Sequence, residues 1–242
     1  MKKSLLYVII LVIGLSTPTF AQTEKDHIVR VALNGGWTIC RGDSPDFFPE
    51  YYLDYLKDVR QGLSWGADAQ FNINNLFTIG VFYYLFAQCA SCDIPNEYTL
   101  YHTPLNINNT YTIDYLAMSL GVMKTFKQHR FSLNYLIGFT DYREAGNYLV
   151  YNYLMINRLE SNYTVGHCLG HGAMITYDYM INKHFAFGAE LTYCFGSVSK
   201  LNHQGRLTSG APSDTFITTV TQLNEPIELH RLSPKIGLRY YF

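Results

Sequence analysis

The chain ends Leu232-Ser-Pro-Lys-Ile-Gly-Leu-Arg-Tyr-Tyr-Phe242. Leu232, Pro234, Ile236, Leu238, Tyr240 and Phe242 alternate with Ser233, Lys235, Gly237, Arg239 and Tyr241. A hydrophobic period of two residues is that of a β-strand, whose side chains point alternately to opposite faces. One face of this strand suits lipid and the other suits water. In a soluble domain an exposed apolar strand of this kind would be a template for aggregation.

Seven more segments alternate in the same way, the apolar face given first. Segment one sets Val29, Val31, Leu33, Gly35 and Trp37 against Arg30, Ala32, Asn34 and Gly36. Segment two sets Leu63, Trp65, Ala67, Ala69 and Phe71 against Ser64, Gly66, Asp68, Gln70 and Asn72. Segment three has Phe77, Ile79, Val81, Tyr83 and Leu85 against Thr78, Gly80, Phe82 and Tyr84. Segment four has Leu116, Met118, Leu120 and Val122 against Tyr115, Ala117, Ser119 and Gly121. Segment five has Phe131, Leu133, Tyr135, Ile137 and Phe139 against Arg130, Ser132, Asn134, Leu136 and Gly138. Segment six, with Val165, Leu169, Ala173, Ile175 and Tyr177 outside, turns Gly166, Cys168, Gly170, Gly172, Met174 and Thr176 the other way. Segment seven sets Phe185, Phe187, Ala189, Leu191, Tyr193 and Phe195 against Ala186, Gly188, Glu190, Thr192 and Cys194. None of these apolar faces carries Asp, Glu, Lys or Arg. A Lys or Arg facing lipid at mid-bilayer costs about 2–4 kcal/mol, so this segregation is what a membrane selects. Leu191→Arg is accordingly expected to be far more damaging than Thr192→Arg.

Connections alternate as strictly as side chains. Tight turns fall at Asn74-Asn75, Lys127-Gln128 and Asn182-Lys183, and long loops run over 38–59, 88–111, 143–162 and 198–227. All long loops then lie on one side and both chain ends on the other. Membrane barrels have this arrangement, and Greek-key sandwiches do not. The expected fold is all-β, an eight-stranded antiparallel up-and-down transmembrane barrel with long extracellular loops. Ten strands arise only if 148–156 and a further segment add a hairpin.

Composition agrees. The 242 residues include 21 Tyr and 15 Phe, with a formal net charge of −1, and Lys and Arg form no basic run that would recruit nucleic acid. Mean hydropathy is only −0.03, as expected of strands that average apolar with polar residues. Lys2 and Lys3 precede an apolar run, Leu5 to Leu15, and a small-residue cleavage pattern at Thr19-Phe20-Ala21. This reads as a secretory signal peptide over 1–21, leaving a barrel over 22–242.

The terminal strand ending in Phe242 resembles the C-terminal targeting strand of Gram-negative outer-membrane barrels. The whole chain is similar to small barrels of the OmpA/OmpX type, within the outer-membrane β-barrel family of Bacteroides-like bacteria. That resemblance implies a cell outer-membrane location, contact with the lipid bilayer and lipopolysaccharide, and delivery to the barrel assembly machinery through the C-terminal strand. It implies a structural or recognition role toward an extracellular or periplasmic ligand, with a narrow pore or small-molecule conduit as the alternative and a lipid-modifying enzyme third.

The lumen is where these readings divide. Arg30, Arg130, Lys235 and Arg239 face inward with Asp68 and Glu190. Eight strands enclose only enough room for side chains. Glu190 is therefore expected to pair with Lys235 or Arg239 and help fill the interior. The alternative is a charged constriction in a conducting pore.

No catalytic, cofactor-binding or metal site is expected. His167 and His171 are four residues apart on a strand, hence about 13 Å apart. One zinc ion cannot bind both, since its nitrogen ligands sit at about 2.0–2.1 Å. His129 and Ser132 face differently, so they make no deacylase-like pair. His102, Asp114, Asp141, His203 and His230 are available for a protease-like rim, but no spacing unites them. Cys89-Ala-Ser-Cys92, in a long loop of a secreted protein, is expected to form a small disulfide. Cys168 and Cys194 face inward, opposite or diagonal to one another. Aromatic residues crowd the first loop (Phe47, Phe48, Tyr51, Tyr52, Tyr55) and the third (Tyr148, Tyr151, Tyr153), either as contact surface or as packing between hairpins.

Overall fold

The computed structural model describes residues 29–41, 60–73, 76–94, 105–150, 158–209, 217–223 and 227–242. Its strands are β1 (Val29–Arg41), β2 (Gln61–Ile73), β3 (Phe77–Ile94), β4 (Leu105–Phe126), β5 (His129–Val150), β6 (Arg158–Met180) and β7 (Phe185–Phe195), then β8 (Ser197–Val198), β9 (Leu201–Ser209), β10 (Ile217–Leu223), β11 (Ile227–Glu228) and β12 (His230–Tyr241). Antiparallel ladders run from β1 to β7 in order, then β7 to β12 and β12 back to β1. Eight strands close a barrel, as the alternation requires.

Facing follows the sequence reading. Along β2 and β7 exposed and buried side chains alternate at every step. Leu33, Leu63, Leu116, Leu133, Leu191 and Leu238 are exposed, whereas Arg30, Asp68, Glu190, Lys235 and Arg239 are at most 3% exposed. The polar side is the core and the apolar side is the surface, an inversion stable only in lipid. Strand β4 measures the lipid band. Its outward residues are Asp114, Leu116, Met118, Leu120, Val122 and Lys124, with a charge at each end. Ten residues at about 3.3 Å rise and about 40° tilt span about 25 Å, the height of a barrel's apolar belt.

Rings collect at both margins. His129 stacks on Tyr177, and Tyr240 packs on His184, Phe185 and Phe242, beside the tight turns. Trp65 meets Tyr83, and His171 and His230 each stack on Phe195, at the other margin. These are the aromatic girdles expected at the two interfaces. The turn at Lys127-Gln128 holds Lys127 at φ 54°, the left-handed geometry of a two-residue hairpin.

Three expectations need correction. Residues 88–94, 105–111, 143–150 and 158–162, read as loop, continue strands β3 to β6. Above the membrane the outer face meets water in place of lipid, so Asn108 and Thr110 outside are as polar as Asn109 and Glu144 inside, and the hydrophobic alternation is lost while the ladder goes on. The fourth connection is not one loop either: β9 and β10 form a hairpin along the upper edge of β6, and β8 pairs with β11. This hairpin extends the sheet without entering the barrel. Thr192, expected to tolerate Arg better than Leu191 does, is inward as read but 1% exposed and wedged between Glu190 and Lys235, so Thr192→Arg should disrupt the lumen as well.

The closing seam between β1 and β12 has one irregularity. Its pairing is continuous from Arg30↔Tyr241 to Gly36↔Lys235, skips Trp37 and Thr38 opposite Pro234 and Ser233, and resumes at Ile39↔Leu232. Pro234 has no N–H to give the ladder. Inside the barrel Thr38 bridges the gap, its hydroxyl 2.8 Å from Ser233 Oγ and 2.6 Å from the Tyr84 hydroxyl. Below it Gly237 lies so close to the Leu33 carbonyl that a Cβ has no room.

The first-loop aromatics Phe47, Phe48, Tyr51, Tyr52 and Tyr55, the third-loop Tyr151 and Tyr153, the turn Asn74-Asn75, His102 and residues 1–21 lie outside the described residues; so does the side chain of Tyr148.

Candidate functional site: the charged lumen and the outer rim

Alternation on β7 and β12 sends Glu190 and Lys235 inward, and the register sets them directly opposite. Lys235 Nζ lies 2.6 Å from Glu190 Oε1 with both side chains fully buried. Thr192 donates to Glu190 Oε1 at 2.7 Å and Asn34 to Oε2 at 2.9 Å. The Lys235 ammonium also sits over the faces of Phe82 and Tyr84, at 4.9 and 4.7 Å. Of the two partners expected for Glu190, Lys235 is the one that holds it.

Arg239 turns instead to Asp178, with Nε 2.9 Å from Oδ1, and donates from Nη1 to the Gly188 carbonyl at 2.9 Å. Asp178 also receives the Tyr241 hydroxyl at 2.5 Å and faces Arg30 Nε at 3.3 Å. Arg30 reaches on to Asp68 at 3.5 Å and Gln70 at 2.8 Å. Three cations (Arg30, Lys235, Arg239) thus meet three anions (Asp68, Asp178, Glu190) in one buried, neutral network. Pairing of this kind is what allows charge to persist away from water. Arg130 caps it toward the tight turns, 4.2 Å over the Tyr241 ring.

Above the network the lumen turns apolar. Phe82, Tyr84, Phe86, Ile113, Tyr115 and Leu136 form one buried cluster, closed on top by Val198, Leu201 and Leu229 from the fourth connection. Arg231 lies within it, also buried. Two charged members of this interior lie outside the segments read from the sequence, Asp178 and Arg231. The alternation of segment six is read to Tyr177 and that of the terminal segment from Leu232. Carrying the alternation one residue further at each end would have turned both inward.

Of the remaining candidates, Asp114 and Asp141 are brought together and the described others are held apart. His167 and His171 both point outward; His171 Nδ1 is 2.6 Å from the Tyr135 hydroxyl. Asp114, Asp141 and His167 fall in one cross-strand row on the outer face. Arg143 holds the first two, at 3.0 and 3.7 Å. This makes an ion-paired rim at headgroup level, with the carboxylates engaged by a cation. His230 contacts Tyr193 and Glu228, and His203 contacts Thr164, so neither joins that row. His129 bonds Tyr177 outside while Ser132 bonds Thr176 inside. No group of three or more His, Cys, Asp or Glu among the described residues is arranged to hold a metal ion.

Two cysteine expectations fail on geometry. Cys89 and Cys92 lie on one strand, β3, and Cys89 is a free thiol. Residues three apart on a strand are about 10 Å apart, beyond the Cα separation of a disulfide. Cys194 pairs with Gly172, four residues from Cys168, and both thiols are free.

With this geometry in view, the likeness to known proteins is one of architecture. The fold is that of an outer-membrane β-barrel. The chain superposes on a major outer membrane protein from Thermus thermophilus with a TM-score of 0.50 at 13% identity, covering 89% of this chain and 100% of that one. Ail, the attachment invasion locus protein of Yersinia pestis, gives 0.42 at 12% identity over 88% and 98% of the two chains. The outer membrane protease OmpT from Escherichia coli gives 0.37 at 10% identity over 94% and 100%. At 10–13% identity the likeness is one of fold alone. No protein-family model and no curated protein matches the sequence.

Proposed function

We propose that this protein is a non-enzymatic barrel of the cell outer membrane, of the OmpA/OmpX type, acting in surface structure or recognition through the segments above the lipid band. The observation that carries this reading is the filled lumen. Ion-paired side chains occupy its lower half and a capped aromatic cluster its upper half, so solutes have no evident route through it. What remains free to meet other molecules is the tall wall of β3 to β6 with the β9–β10 hairpin. At about 3.3 Å per residue and about 40° tilt, the 22 residues of β5 rise about 55 Å, roughly twice the apolar belt. The exterior belt contacts lipid and, in the outer leaflet, lipopolysaccharide; the terminal strand is read by the barrel assembly machinery.

The deciding experiment is planar-bilayer conductance of the wild type beside Glu190→Ala. A silent wild type supports recognition, with shortening of 42–59 and 151–157 leaving a folded, heat-modifiable barrel. Large, steady wild-type channels would sink it in favour of a pore.

A further inference from the structure

Asp68, Asp178 and Glu190 are engaged in the lower network, Glu144 on the inner side of β5 is held by Asn109 and Tyr142, and Arg231 stands between them with no carboxylate paired to it among the described residues. Arg231 is 2% exposed. Its Nη1 donates to the Leu229 carbonyl at 3.4 Å, which fixes the orientation of the guanidinium. The Tyr84 and Tyr115 rings lie 5.3 and 5.4 Å from its Cζ. Its cross-strand partners are Cys40 on β1 and Cys194 on β7, and neither is a carboxylate. Aromatic faces compensate a buried cation only in part, and an unpaired buried charge is costly.

The free donors are specific. Nε and Nη2 are the buried atoms of this guanidinium that have no hydrogen-bond partner. Together they form one edge of the group, the side-on fork that accepts both oxygens of a carboxylate through parallel N–H···O bonds. The cross-strand neighbours of Arg231, Cys40 and Cys194, and the rings of Tyr84 and Tyr115 belong to or pack on the same buried, mainly hydrocarbon and aromatic cluster as Leu229. Strongly hydrated anions such as sulfate or phosphate gain little in such surroundings. A carboxylate carrying its own hydrocarbon matches both parts.

We propose that the upper lumen is a binding site for a small monocarboxylic acid, its carboxylate held side-on by Arg231 and its hydrocarbon part packed beneath the β8–β11 ribbon. That ribbon can serve as a door. Two residue pairs, Ile227↔Val198 and Glu228↔Ser197, hold it together, and the Leu229 N–H donates to the Gly196 carbonyl at 2.8 Å. It can lift without breaking any ladder of the barrel wall. An eight-stranded barrel is wide enough for one small ligand where side chains leave room, and displacement of Leu229 and Val198 supplies that room.

The test uses the full chain folded in detergent micelles, titrated with sodium butyrate and, at matched ionic strength, with sodium chloride. The readout is the Nε–H resonance of Arg231, assigned by its disappearance in Arg231→Gln or, should that variant not fold, in Arg231→Lys. Butyrate should shift this resonance downfield to saturation and chloride should not. Arg231→Lys keeps the charge but loses the fork, and its affinity for butyrate, followed in both proteins through the backbone N–H resonance of Leu229, should fall roughly tenfold or more. An unmoved resonance, an equal response to chloride, or wild-type affinity in Arg231→Lys would each overturn the site. Conductance and loop truncation do not bear on it, so it stands or falls apart from the recognition role.

Discussion

Glu190 and Lys235 offer the most quantitative test of the lumen. Glu190→Ala leaves the Lys235 ammonium buried with Thr192 Oγ at 3.3 Å as its remaining hydrogen-bond acceptor, and the rings of Phe82 and Tyr84 as its other neighbours. Breaking a buried pair by removing one partner costs about 3–5 kcal/mol. At about 1.4 kcal/mol per decade that is about two to three and a half decades in the folding equilibrium. Lys235→Met strands Glu190 in the same way, although Asn34 and Thr192 still donate to it, so its cost should fall at the lower end. The double variant Glu190→Leu, Lys235→Met removes both charges and should return to within about 1 kcal/mol of wild type. The assay is urea unfolding in lipid vesicles, followed by the fluorescence of the chain's two tryptophans. Trp37 and Trp65 are both part-exposed on the lipid face and lose that environment on unfolding. Additive single and double variants, with no coupling, would refute the claim that the two residues form one buried unit.

Other outcomes follow from facing, seam and topology. Leu191→Arg should cost about 2–4 kcal/mol against Leu191→Phe as a neutral control, measured in the same unfolding assay; equal stabilities would overturn the register of β7. Gly237→Ala should lower the urea midpoint clearly, because a Cβ there meets the Leu33 carbonyl, whereas Gly35→Ala, with nothing within 4 Å, should not; identical midpoints would count against the seam geometry. Deleting Phe242, whose N–H donates to Val29 O at 2.9 Å and whose ring packs on Tyr240, should reduce the heat-modifiable protein recovered from outer membranes. In a Cys92→Ser background, exposed Cys89 should react with a membrane-impermeant maleimide on intact cells while buried Cys194 reacts only after unfolding; protection of Cys89 would invert the topology.

Wherever lipid lay on one side and the lumen on the other, the sequence announced the fold. Strand β7, flanked by lipid along its whole length, was legible to the residue. Strands β4 to β6 were legible only over their membrane halves, since above the belt the outer face is polar too and no hydrophobic contrast remains to mark a period of two. The same loss hid the β9–β10 hairpin, whose pairing with β6 is a long-range choice that local pattern does not record. In the lumen, Glu190 and Lys235 could be paired from topology because consecutive strands of a closed barrel must be neighbours. Arg231 could not be recognised as unpaired, because that depends on where every other carboxylate ends up.

Pro234 gains a meaning when the chain is considered before the barrel has closed. In the finished protein β12 has neighbours on both sides, and a proline in mid-strand costs a ladder bond with no visible return. During assembly β1 and β12 are the two free edges of an open sheet, rich in apolar residues and complementary to any other β-strand. A proline at the centre of such an edge denies a stray strand continuous pairing. The native partner tolerates the gap because Thr38 spans it with a side-chain bond that an arbitrary strand would not supply. Pro234 would thus let β12 discriminate between closing on its own β1 and joining the edge of another molecule.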